Sequence, residues 1–270
     1  LQVKFPKERE KMPIVTLTSD FGEKDWYAAA LKGAILKTAP AVQLVSISHQ
    51  IEPFDIVQAA LVLKNAWMEF PDGTVHLLAV NCVYSSQSRF VAVRHGGQYF
   101  FAPDNGILSL LLGDIALTDI RQLDASDAPA HFAVKNVFAL ALGQWVSNHD
   151  FEQLGKASET MLLRRILLRP VIHAQQIRGT VVHIDHFENV VLNIERELFE
   201  EVGKNRGFSL YFKRNDPIVA LSSNYSDVPM GETLCLFNSI GLLEIAINFG
   251  KAATLLGLKK EDVVELVFEE

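Results

Sequence analysis

Residues Ile14–Tyr27, IVTLTSDFGEKDWY, decide how the chain is read. Ile14, Val15, Thr16 and Leu17 are apolar or β-branched, the composition of a short buried strand. The strand runs into Ser19-Asp20-Phe21-Gly22, a turn carrying a carboxylate. From about Trp26 the spacing becomes helical, with Ala28, Leu31, Lys32 and Ile35 three or four apart. A carboxylate between the end of a buried strand and a helix sits where open α/β sheets bind ligands. Asp20 would repel a phosphate, but it can accept two hydrogen bonds from a sugar diol. The alternative is that Asp20 only caps the turn or the start of the helix.

Working outward, strand and helix signals alternate through the first half. Val42–Ile47 reads as a strand after the break at Pro40, and Asp55–Phe70 as a helix with Ile56, Ala59, Ala60, Leu63 and Trp67 on one face. Thr74–Val80 follows the turn Pro71-Asp72-Gly73, and Phe90–Arg94 with Gln98–Ala102 forms a hairpin across Gly96-Gly97. Helices are expected over Ile107–Leu112 and Phe138–Asn148. Beyond a boundary near 156–178 the segments are short and strand-like: 179–184, 190–194, 208–212, 234–237, 242–246 and 263–268. The expected architecture is an α/β N-terminal domain over 1–160 and a smaller all-β, barrel-like C-terminal domain over 175–270. Residues 1–11 read as a charged extension, with Met12 a candidate natural start.

At 270 residues, 49% hydrophobic and 21% charged, the chain has a normal globular balance. A net charge of −7 and no Lys/Arg cluster disfavour a nucleic-acid groove. The longest apolar runs, such as Phe138–Leu142, are far too short to span a bilayer. Cys82 and Cys235, far apart and outside any CxxC, indicate neither a disulfide framework nor zinc, and a reduced cytoplasmic setting fits. The eight histidines are scattered without metal-ligand spacing, so no metal is expected. Serine-hydrolase, Walker A and GxGxxG motifs are all missing.

Two polar turns stand out in the second half. Asp185-His186-Phe187-Glu188-Asn189 sets hydrogen-bonding groups beside an aromatic that can pack on a flat ring, or else is an Asx turn between two strands. Asn238-Ser239-Ile240-Gly241 precedes Leu242-Leu243-Glu244-Ile245-Ala246 and is also rich in small polar donors.

TLTSDFG with Asp25 and the helix ending LKGAIL resembles the S-adenosylmethionine (SAM) hydroxide adenosyltransferases, relatives of the SAM-dependent fluorinases and chlorinases. The likeness continues in order through Ile47–Ile51, Phe70–Val75, Ala102–Gly106, Asp185–Asn189 with Asn193, and Asn238–Ala246. It implies an α/β domain and a β-barrel, assembled as a homotrimer with substrate between one subunit's N-terminal domain and its neighbour's C-terminal domain. By the same resemblance Asp20 grips the ribose diol. Phe187 and Asn189 approach adenine, with Ser239, Glu244 and the backbone near Ile247–Ala252, while Asp185 and Tyr225 face the amino-acid end. SAM is substrate or ligand, and no separate cofactor is implied.

The attacking side departs from the family pattern. Family hydrolases use an Asp-Arg-His set to position and activate water, the first two in a stretch like VVDPGVGTERR. Here the aligned residues are Asn81 and Ser88, and the third position, in a TFHGRDIFAP-like run, is Ala133. Asn and Ala cannot act as general base, a contribution of order 10²–10⁴-fold. Arg89 and His131 are possible substitutes, His131 because residues two apart share a face of an extended segment. A Cys82 thiolate is chemically able to attack such a carbon. Two classes stay open: an enzyme splitting SAM into adenosine and methionine, and a non-catalytic nucleoside or SAM binder.

Overall fold

The computed structural model describes residues 12–85, 88–126, 131–166, 169–213 and 216–269. The extension read over 1–11, two residues of the altered loop (86–87) and two of the boundary region (167–168) lie outside them. The chain divides into two compact units, between residues 166 and 167.

The first unit runs β1 (Ile14–Ser19), α1 (Tyr27–Thr38), β2 (Gln43–Ser48), α2 (Ile56–Lys64), β3 (Val75–Ala79), β4 (Phe90–His95), β5 (Gln98–Pro103), α3 (Ile107–Leu112), β6 (Ile120–Gln122), α4 (Ala133–Asn148) and β7 (Lys156–Ala157). The strands form one sheet in the order β2-β1-β3-β5-β4-β6-β7. β1 pairs in parallel with both β2 and β3, and β3 in parallel with β5, whereas β4, β6 and β7 join antiparallel. The chain leaves β1 for β2 on one side and returns to β3 on the other, so strand order reverses at β1. That reversal opens a crevice beyond the strand ends, and Asp20 follows directly on β1.

Alternation along the strands divides the core. Val15, Leu17, Leu77, Ala79, Ala92 and Phe101 pack against Leu31 and Ile35 of α1 and Phe138, Leu142 and Trp145 of α4. Leu78, Val80, Val91, Val93 and Phe100 pack against Ala59 and Leu63 of α2 and Ile107 and Leu111 of α3. Asp55 starts α2 by accepting from the amides of Val57 (3.1 Å) and Gln58 (2.9 Å).

Two expected helices change their limits. The helix expected over Asp55–Phe70 ends at Lys64, where Asn65 Nδ2 donates to the Leu61 carbonyl (2.8 Å), and a separate short turn covers Trp67–Glu69. The helix expected from Phe138 begins five residues earlier, because Ala133, Val134 and Val137 continue its buried stripe.

Buried among these strands, His76 accepts at Nδ1 from the Thr16 hydroxyl (2.7 Å), its Nε2 meets Gln98 Oε1, and its ring stacks on Phe100. Burial holds it neutral, lowering its pKa from 6.5 to about 4. The unfolded chain therefore binds the extra proton between those values. The stabilisation is complete above pH 6.5 and is lost as pH falls towards 4, a loss of about 3 kcal/mol. Urea unfolding of the wild type and His76→Gln across this range should show the wild type losing that much more stability on acidification.

The second unit runs β8 (Val171–His173), β9 (Gln176–Ile184), β10 (Val190–Glu195), α5 (Arg196–Gly203), β11 (Phe208–Phe212), β12 (Thr233–Phe237), β13 (Leu242–Ile247), α6 (Ala252–Leu256) and β14 (Val263–Phe268). The strands form an antiparallel sheet in the order β11-β14-β9-β10-β13-β12, with β8 also pairing β9. Its edge strands are tied through the intervening segment by single bridges, Leu210 to Ile218 and Leu221 to Cys235, so the sheet curls like a half-barrel instead of closing by a full ladder. Two helices lie where strands alone were expected. The longer, α5, packs Phe199 edge-on against Phe208, Phe237 and Phe268 at 5.2–5.4 Å. No helix among the described residues is long and apolar enough to cross a membrane.

Candidate functional site

Asp20 is neither a helix cap nor a free carboxylate. Its Oδ2 accepts from two backbone amides, Phe54 N and Asn81 N, each at 3.0 Å. Both donors have left-handed backbone, φ 68° at Phe54 and 51° at Asn81. Asn tolerates that region, but for Phe it costs roughly 1–2 kcal/mol, which the charge-assisted bond to Asp20 helps offset. Oδ1 has no hydrogen-bond partner among the described residues, which leaves it an acceptor. Gly22 permits the turn through its φ of 67°, and its amide donates to the His49 carbonyl (2.7 Å). Asn105 supports the far side, its Nδ2 donating to the carbonyls of Val80 (3.0 Å) and Asn81 (3.3 Å).

An aromatic group borders this turn. Phe21 lies 5.6 Å from Phe132 and 6.0 Å from Tyr27, and Tyr27 lies 5.4 Å from Phe132. Phe132 immediately precedes α4, which brings Ala133 near the Asp20 turn. Ala133 is the first residue of the helix and only 2% exposed, so the extended-segment argument for His131 does not hold. His131 itself is exposed.

The second possible substitute is committed elsewhere. Arg89 pairs with Asp104 (3.5 Å) and donates to Ser158 Oγ (2.9 Å) and Thr160 Oγ1. Ser88 closes its own turn, its Oγ accepting from Ser85 N (2.8 Å) and donating to the Val83 carbonyl (3.2 Å). Of the three altered positions, Asn81 bonds Asp20 directly and Ala133 borders its aromatic neighbours, while Ser88 is engaged within residues 83–88.

Cys82 follows Asn81 and is half-buried. Burial, and secondarily the Asp20 carboxylate, push its thiol well above the ordinary range. Cys235, buried in the second unit, is pushed up to about 12. Neither forms a thiolate near neutrality, which argues against Cys82 as a nucleophile. Iodoacetamide at pH 7.5 should leave both unlabelled in the native protein and label both after denaturation, read by mass spectrometry; rapid native labelling of Cys82 would contradict this.

In the second unit the two polar turns come together. Asp185 accepts from Asn189 N (2.8 Å) at Oδ1 and from Asn189 Nδ2 (3.0 Å) at Oδ2. Glu244, 3% exposed, accepts from the Tyr225 hydroxyl (2.8 Å) and from Asn238 Nδ2 (3.2 Å). Desolvation raises the pKa values of both Glu244 and Tyr225, and the Asp185 charge pushes each in the same direction. Asp185, Asn189, Tyr225 and Glu244 thus form one cluster, with Asn238 the member that residue-by-residue reading had not singled out for a role.

Phe187 stands clear at 72% exposed, its turn held by Glu188, which pairs with Lys251 (2.9 Å) and accepts from Thr254 N (3.1 Å). Ser239 is exposed in the turn closed by Asn238, whose Oδ1 accepts from the amides of Ile240 and Leu242. Ile247 has its side chain in the core, and its carbonyl accepts from Gly250 N (2.9 Å). The amides holding Asp20 also escaped the sequence reading, and the exposed Phe54 in the EPFD stretch is the nearest thing to a signal for them.

These two sites lie in units that match the SAM hydroxide adenosyltransferase N-terminal domain over residues 15–155 and its C-terminal domain over 179–265. The chain belongs to the SAM hydroxide adenosyltransferase family. It is 30% identical over 259 residues to an (R)-S-adenosyl-L-methionine hydrolase of Salinispora tropica, covering 93% of this chain and 96% of the relative. It is 24% identical to a fluorinase of Actinopolyspora mzabensis, covering 92% and 95%. Among solved structures, an uncharacterized conserved protein from Thermotoga maritima aligns with a TM-score of 0.82 at 27% identity, covering 94% of this chain and 99% of that one.

Proposed function

We propose that this protein binds SAM or adenosine through the nucleoside and has lost most of the family's power to hydrolyse SAM. The observation that carries the reading is Asp20, fixed by two amides at Oδ2 with Oδ1 left as an acceptor for a ribose hydroxyl. Support on the second unit comes from the buried Glu244, bonded to Tyr225 and Asn238 beside Asp185 and Asn189, with the exposed Phe187 ring available to a base.

Hydrolysis of SAM requires water to attack the 5′ carbon of the ribose. The carbon–sulfur bond breaks with its electron pair moving to sulfur, which yields methionine and adenosine, and the water gives up a proton. Asn81 and Ala133 cannot take that proton, Ser88 has no cation to stabilise hydroxide, and Arg89 is held by Asp104, Ser158 and Thr160. Binding groups are kept and attacking groups are missing.

The same reading includes a homotrimer in which the Asp20 turn of one subunit and the Glu244 cluster of a neighbour serve one ligand. Isothermal calorimetry with adenosine and with SAM tests the binding half. Saturable one-to-one binding of either ligand per chain is expected, and absence of affinity for both would overturn it.

A further inference from the structure

We infer that His49 is a positioning residue for Asp20. The inference rests on the nucleoside role proposed for that carboxylate. His49 is 2% exposed, and both of its ring nitrogens are engaged: Nδ1 with Ser19 Oγ at 2.8 Å and Nε2 with Ser46 Oγ at 3.0 Å. Ser19 immediately precedes Asp20, and Ser46 lies on β2. Backbone bonds extend the link, since Gly22 N donates to the His49 carbonyl (2.7 Å) and Ile51 N to the Ser19 carbonyl (3.3 Å).

Residues 49–54 therefore form a strap around the turn. One end is anchored by the imidazole, and the other ends at Phe54, whose amide holds Asp20 Oδ2. A strained Phe54 and a carboxylate needing two donors stay in register only while the strap is fixed. His49 bridges the last residue of β1, through Nδ1, to β2, through Nε2.

A neutral imidazole satisfies this geometry with one N–H donor and one acceptor, each serine hydroxyl rotating to match. Protonation would place a charge in a buried site. Burial and then Lys32 of α1 favour the neutral form, opposed by Glu23, and the Asp20 carboxylate stands on the same turn. The anchor is intact at neutral pH and loosens on acidification below the ordinary histidine range.

Hydrogen exchange of the ligand-free protein, resolved at individual amides and corrected for intrinsic rates, tests the inference between pH 7.5 and 5.5. In His49→Leu, protection of the Phe54 and Asn81 amides should fall about tenfold, in line with the loss of two hydrogen bonds, while amides of β3 and β5 keep theirs. His49→Gln, which can still donate and accept, should restore protection to within about threefold of the wild type. It should also remove the wild type's decline on acidification. Wild-type protection at both amides in His49→Leu would overturn the inference. So would an equal loss at every amide, or a His49→Gln profile with the wild type's pH dependence. If His49→Leu does not fold, the pH profile of His49→Gln decides. Calorimetry on the same samples separates the two claims: selective loss of protection in a protein that binds no adenosine supports positioning and overturns only the nucleoside reading.

Discussion

Asp20→Asn should weaken adenosine binding by about 10²-fold while the protein stays folded. The asparagine oxygen can still accept from Phe54 N and Asn81 N, so the two left-handed residues keep their partner. What changes is the unpaired atom: Oδ1, which the proposed function assigns to ribose hydroxyls, is replaced by an amide donor. Hydrogen bonds to a charged group contribute about 1.5–3 kcal/mol, and each 1.4 kcal/mol is about tenfold in affinity. Asp20→Ala should lose the same affinity and also stability, because two amides lose their acceptor at about 1–3 kcal/mol each where they are out of water. Calorimetry with denaturant unfolding separates the two variants. Unchanged adenosine affinity in Asp20→Asn would leave Asp20 a purely structural residue.

The second large effect is a gain. Replacing Asn81, Ser88 and Ala133 together by Asp, Arg and His supplies a candidate base, a cation and a proton carrier at the family's positions. SAM hydrolysis should rise by about 10²–10⁴-fold if those groups reach the ribose carbon. The positions differ in tolerance. Asn81 has a left-handed backbone that Asp also tolerates, and its amide already bonds Asp20. Ala133 is buried at the start of α4, where an imidazole must displace neighbours such as Phe132, so His at that site should also lower stability by about 1–3 kcal/mol. The single Asn81→Asp variant, read for adenosine release by chromatography, checks whether the base alone recovers part of the rate.

Much of the fold was legible because periodicity and turn chemistry agree. The β-branched run at 14–17, the spacing of Leu31 and Ile35, and the Gly96-Gly97 hairpin each point to one structure. The short strands β6, β7 and β8 carry two or three residues each, too few for alternation to register. The helix α5, RELFEEVG, hides because most of its residues are polar and its burial depends on Phe199 meeting aromatics far along the chain.

At the site, side chains were easier to find than what holds them. Asp20 announces itself by its place after a strand, but its partners are backbone amides 34 and 61 residues away, and any residue type can supply such a donor. Arg89 looked available because sequence shows its charge and not the Asp104 carboxylate that claims it.

The claim that binding has survived and hydrolysis has not is tested most directly by incubating the purified wild type with SAM and following adenosine by chromatography. The Salinispora tropica hydrolase runs alongside at matched concentration. Release at least about 10²-fold slower than from that enzyme is the expected result. Release at a comparable rate would contradict it and would mean that some group other than those at Asn81, Ser88 and Ala133 activates the water.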